Sequence, residues 1–134
     1  MIHKFKDGIL FIRMDDGEDF FEKLLEVLKE HSISSAVILS GIGMLRNFEI
    51  GWFSGEKYEK EFVKFPSELL SMSGNISLKD SDIFPHIHVV LSDPNKKAFG
   101  GHLFSGTVNN TVEMFIMNLE NLKLIREDRL KFTE

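Results

Sequence analysis

At 134 residues, with a formal net charge of −5 and no cysteine, the chain reads as one domain spanning 1–134. The missing cysteines exclude disulfides, thiolate metal sites and a cysteine nucleophile, so any metal must be held by histidine, carboxylate or water. Lys and Arg total 16 against 21 Asp and Glu, which argues against a nucleic-acid backbone as the main partner. No apolar run reaches the roughly 18 residues of a membrane span, and the N-terminus lacks a signal-peptide core. The expected location is the cytoplasm, with no membrane partner. Hydrophobic residues make up 43% of the chain, enough for a real core, and thirteen phenylalanines supply its bulk.

In chain order, a short first arm turns at Asp7-Gly8 into a strand over Ile9 to Met14. Asp15 to Asp19 is a polar, acidic turn that favours a helix N-terminus after it. Asp19 to His31 is the clearest helix. Phe20, Phe21, Leu24, Leu25 and Leu28 recur at three- and four-residue spacing and form one apolar stripe. His31 closes the helix, where a cation meets the favourable end of the dipole. Ser34 to Met44 reads as a buried strand. Its Gly41 and Gly43 alternate on one face, which predicts something bulky against them. A phosphate-binding glycine loop needs a different spacing and a following helix, and both are lacking. A separate strand follows over Arg46 to Phe53 and pairs across Ser54–Lys57 with Tyr58 to Val63.

Beyond Pro66, Glu68 to Leu78 is strand-like, and Lys79 to Asp82 is a loop. Ser105-Gly106-Thr107 marks a turn or bulge. Thr111 to Leu119 is strongly β, with Val112, Met114 and Ile116 on one face and Glu113, Phe115 and Met117 on the other. Leu122 to Leu130 adds a last strand. The count is seven or eight strands and one main helix, mostly joined by short turns. That is an α+β fold: a twisted, mainly antiparallel sheet, or two packed sheets, with the helix (about 19–31) on one face.

The chemistry concentrates between Pro85 and Leu103, where three of the five histidines lie. His86 and His88 share a face of one strand. Asp93-Pro94-Asn95-Lys96-Lys97 is a turn by composition. With a five-residue loop, Ser92 meets Ala98, Val90 meets Gly100 and His88 meets His102. Directly opposed Cβ atoms lie about 4.5–5.5 Å apart. His86, His88 and His102 then converge as three imidazole ligands, the number many catalytic zinc sites use. A four-residue loop, or a bulge at Gly100-Gly101, would turn His102 away. Glu113 is an odd residue for an apolar strand and is the first candidate outside the histidines. Glu68 is a second carboxylate that could act as a base.

The order Gly41-Ile42-Gly43, Glu68 to Ile76, Pro85-His86-Ile87-His88 and Gly100-Gly101-His102-Leu103 resembles the PPC domain, the plants-and-prokaryotes conserved domain. The resemblance runs from about Arg13 to Leu119 and is to the stand-alone prokaryotic type. It implies an α+β fold, a homotrimer, and a zinc site at His86, His88 and His102, with other imidazole-preferring divalent metals open. Glu113 and Arg13 resemble recurring positions more weakly. Arg13 and Asn75 are candidates to complete a site near a subunit boundary. Plant relatives carry an AT-hook, Arg-Gly-Arg-Pro, that is absent here, so tight DNA binding is not expected. Three functions stay open: a trimeric metal-binding domain for a small ligand or protein partner, a zinc-dependent hydrolase, and a DNA-associated regulator.

Overall fold

The computed structural model describes residues 1–133. Nine strands and one helix follow in the order β1 (Ile2–Lys6), β2 (Ile9–Asp15), α1 (Phe20–Glu30), β3 (Ala36–Phe53), β4 (Tyr58–Val63), β5 (Ser67–Lys79), β6 (Asp82–Ser92), β7 (Ala98–Asn118), β8 (Lys123–Arg126) and β9 (Leu130–Thr133). The architecture is α+β, as the short turns require. All strands belong to one sheet, ordered β1-β2-β7-β3-β5-β8-β9, with β4 on β3. Strand β6 pairs with both β5 and β7, which closes β3, β5, β6 and β7 into a ring. The pairing is antiparallel except at β5 and β8, which meet at Leu78↔Ile125.

Local chemistry explains the elements. Asp7 (φ 52°) and Gly8 (φ 81°) make the left-handed two-residue turn that suits a hairpin. Asp80 and Ser81, also at positive φ, do the same between β5 and β6. Helix α1 starts at Asp19, whose side chain accepts a hydrogen bond from Glu22 N–H at 2.9 Å. Phe20, Leu24, Val27 and Leu28 are buried, and α1 packs against β7. The core pairs these with Leu10, Ile12 and Met14 of β2 and Val112, Met114 and Ile116 of β7.

Three stretches differ from the sequence reading. The expected strands 34–44 and 46–53 are one 18-residue strand, β3. Asn47 (φ 48°) marks the apparent break, where the β3–β7 register shifts between Arg46 and Glu49. A bulge absorbs the irregularity without ending the strand. Likewise β7 runs through Ser105-Gly106-Thr107 with no turn, opposite the same register shift, and the tail carries two short strands where one was expected.

Gly41 and Gly43 differ in what they face. A Cβ at Gly41 would lie 3.0 Å from Met72 Sδ, the bulky neighbour expected. Gly43 sits at φ 142°, and a Cβ there would lie 2.0 Å from the Thr111 carbonyl oxygen. Backbone cannot yield as a methionine does. Gly43→Ala is therefore expected to cost roughly 3 kcal/mol or more, and Gly41→Ala about 1 kcal/mol. Urea denaturation of the two variants checks the difference, and equal losses would contradict it.

Candidate metal centre

The β6–β7 loop sets the site. Asp93 Oδ1 accepts from Asn95 N–H at 2.8 Å and from Lys97 N–H at 2.9 Å. Lys96 N–H donates to the Asp93 carbonyl, and Lys96 takes φ 65°. The loop is thus the five residues Asp93 to Lys97. The ladder runs unbroken from Ser92↔Ala98 to His88↔His102, with no bulge at Gly100-Gly101.

His86, His88 and His102 converge, with one ring nitrogen from each lying within 4.8 Å of the others. His86 Nε2 and His88 Nε2 are 3.2 Å apart. Two imidazoles on one tetrahedral zinc, with zinc–nitrogen bonds of ~2.0–2.1 Å, sit about 3.3 Å apart. That pair already has the right spacing, and the wider ones must tighten around an ion. The three donors are all imidazole, a set that suits Zn, Cu, Ni and Fe.

Each ring has its own surroundings. His102 Nδ1 lies 3.3 Å from the Tyr58 hydroxyl, and its ring stacks on Phe104 at 4.3 Å. Tyr58 is thus placed to fix the His102 ring through the nitrogen that a metal would leave free. His86 Nδ1 accepts from Arg126 Nη2 at 3.2 Å, and the same Nη2 lies 3.3 Å from Asn75 Oδ1. His88 is exposed. Burial, then the neighbouring His86, His88, Lys60 and Arg126, lowers the His102 pKa to about 4. Burial, Arg126 and His88 also hold the His86 pKa below its ordinary value. Both rings are neutral at pH 7, the form that binds metal.

The other predicted residues fall in different places. Asn75 is beside the cluster, paired with His86 across β5 and β6. Arg13 and Glu113 are opposite each other on β2 and β7, with Ile42 next in the row. Glu113 is exposed and eleven residues along β7 from His102, on the order of 30 Å. Glu68 is exposed and opposite Ser92, at the loop end of the hairpin. Within one chain, neither carboxylate reaches the cluster.

Three site residues escaped the sequence reading: Tyr58, Phe104 and Arg126. Phe104 carries a faint signal, two positions beyond His102 on the same strand. Tyr58 and Arg126 carry none, since β4 and β8 reach the cluster only through the fold. Together with Phe21, Lys79 and Phe84, they line a cleft of about 680 Å³ that opens beside His86 and His102.

For the metal-free protein this geometry sets a pH dependence. The unfolded chain takes a proton on residue 102 near pH 6.5, while the folded one resists until about pH 4. The unfolded state binds more protons in that window, so stability falls as pH drops from 6.5 to 4. Thermal melts of metal-free wild type should show that decline, and His102→Gln should reduce it. An equal decline in the variant would contradict the assignment.

A family model described as the Plants and Prokaryotes Conserved (PCC) domain matches residues 4–120. No curated protein matches the chain. Among solved structures, a plant- and prokaryote-conserved (PPC) protein from Pyrococcus horikoshii is 33% identical at a TM-score of 0.84, covering 99% of this chain and 94% of that one. A metal-containing protein from Archaeoglobus fulgidus is 35% identical, also at 0.84, covering 100% of this chain and 99% of that one. A "putative dna binding protein" from Bacteroides thetaiotaomicron is 20% identical at 0.87, covering 98% and 96%, and shows the shared fold alone. With its histidine hairpin, ringed sheet and near full-length match, the chain belongs to the Plants and Prokaryotes Conserved domain family.

Proposed function

We propose that this protein is a homotrimeric metal-binding domain that holds zinc on His86, His88 and His102 and takes a small ligand or protein partner beside it. The observation that carries the metal reading is the convergence of three imidazoles, with one ring nitrogen from each within 4.8 Å of the others. The metal-containing relative from Archaeoglobus fulgidus supports it. When bound, zinc with an open fourth position polarises an oxygen ligand or lowers the pKa of water. The chain's own residues orient the His102 ring: Tyr58 lies against its Nδ1, and Phe104 stacks on its face.

The trimer rests on the family resemblance and on one face of the sheet. The pairing register puts Arg13, Glu113, Met117, Val37, Asn75 and His86 on that face. Val37, Ile42, Phe115 and Met117 there are apolar and exposed, Ile42 by 52% and Phe115 by 43%. A contiguous exposed apolar patch of this kind is normally a contact surface. Covering it with a neighbour would bring Arg13 and Glu113 into an interface, where a second chain can approach the histidines. The hydrolase reading lacks a carboxylate base at the cluster from Glu113 or Glu68. A DNA-associated role has the name of distant relatives behind it, and the net charge of −5 disfavours it. Among the described residues, no helix is long and apolar enough to cross a membrane.

Elemental analysis of tag-free protein should find close to one zinc per chain in wild type and almost none in His88→Ala. Absence of metal from both, after zinc is supplied at neutral pH, would overturn the metal reading. Light scattering should give three times the 15.4 kDa chain mass for wild type. Phe115→Glu should fall to the mass of one chain, whereas a monomeric wild type would overturn the trimer.

A further inference from the structure

Arg126 blocks the site as it stands. Guanidinium N–H groups only donate, so His86 Nδ1 must accept from Arg126 Nη2 at 3.2 Å. Neutral His86 then carries its proton on Nε2. That nitrogen faces His88 Nε2 at 3.2 Å and donates to it. No lone pair of His86 points into the cluster. To bind a metal through Nε2, His86 must move its proton to Nδ1, and metal-bound histidines donate that N–H to an acceptor. Arg126 cannot remain on Nδ1 in that state. A guanidinium beside a divalent cation is also repelled.

The displaced guanidinium has somewhere to go. Arg126 lines the cleft beside the histidines, with its Cζ 5.6 Å from the Phe84 ring centre. Lys79 Nζ lies 4.9 Å from the same ring. Among the described residues, neither cation has a carboxylate partner. Arg126 Nε is buried and has no hydrogen-bond partner among the described residues. A guanidinium with a free N–H and no carboxylate partner is the group that selects a planar or tetrahedral oxyanion. Two carboxylates also line the cleft, and one of them, Glu127, is paired with Lys131 at 2.9 Å. The other, Asp128, is exposed. The walls are aromatic: Phe21, Phe84 and Phe104. The volume of about 680 Å³ lies in the range of small-molecule sites.

We infer that Arg126 couples the two places: it competes with the metal for His86, and it binds the oxyanion of a small ligand with a flat apolar body in the cleft. The inference rests on the metal reading and adds to it the ligand class and the linkage. An anion that takes Arg126 loosens its hold on His86 and so favours the metal. By reciprocity the metal favours the anion by the same factor. Arg126 lies outside the matched stretch 4–120, so the family assignment itself is silent on this residue.

The probe is phenyl phosphate, titrated calorimetrically into metal-free and zinc-loaded protein. Zinc affinity is measured in parallel by competition with a chromophoric chelator. In wild type, saturating phenyl phosphate should raise zinc affinity about tenfold, within the usual range of such couplings. Arg126→Met should bind zinc more tightly than wild type without the anion, lose the enhancement, and bind phenyl phosphate at least about tenfold more weakly. Lys79→Met alters an exposed side chain and guards against a folding defect. It should weaken phenyl phosphate about threefold and leave anion-free zinc affinity unchanged. Zinc affinity equal in wild type and Arg126→Met, or an enhancement that survives in that variant, would overturn the coupling. Phenyl phosphate affinity unchanged in both variants would overturn the cleft. Wild type that takes up no zinc would instead overturn the metal reading, and the coupling with it.

Discussion

The parity of the β6–β7 hairpin is the constraint on which the site depends. Side chains alternate across a strand, so a slip of one residue sends every side chain to the opposite face. His88 and His102 meet because the loop between their strands holds an odd number of residues. Asp93 enforces that number by accepting two backbone N–H groups from inside the loop with one carboxylate oxygen. The histidine cluster thus depends on a polar contact at the far end of the hairpin, with four residue pairs between it and the His88↔His102 pair. The closed ring of β3, β5, β6 and β7 adds rigidity, since β6 is held on both edges from His88 onward.

Much of this was legible in the residues. The helix could be read because its apolar spacing has a single interpretation and Asp19 precedes it. The hairpin could be read because Asp93-Pro94-Asn95-Lys96-Lys97 has no other use. Glu113 was conspicuous, yet conspicuousness did not place it: its strand is 21 residues long, and His102 lies toward the other end. The ring escaped because it requires β6 to pair on both sides, and a strand's hydrophobic pattern does not count its partners. The single long β3 escaped because a bulge and a strand end use the same residue types, and Asn47 fits either.

The site's electrostatics follow from what surrounds three weak bases. Burial and nearby cations keep His86 and His102 neutral, which prepares them for a metal and makes protonation costly. The same cations raise the cost of bringing in a divalent ion. A positive site of this kind needs an anion to become comfortable, either a bound hydroxide or an arriving ligand. The aromatic stack of Phe104 on His102 keeps water from supplying that charge freely on one side.

The tail has a consequence for how the protein changes over evolutionary time. Strand β8 is tied to the body by the Leu78↔Ile125 bridge and by Leu124 N–H donating to Ser35 Oγ. Its partner β9 is a neighbour only in the tail. Substitutions there disturb little of the packed core, whereas the histidines are embedded in the ring. The ring that positions the histidines and the segment that brings Arg126 to them are therefore separable. A lineage can change the cation beside His86 by editing a few terminal residues while the scaffold and the three histidines stay fixed.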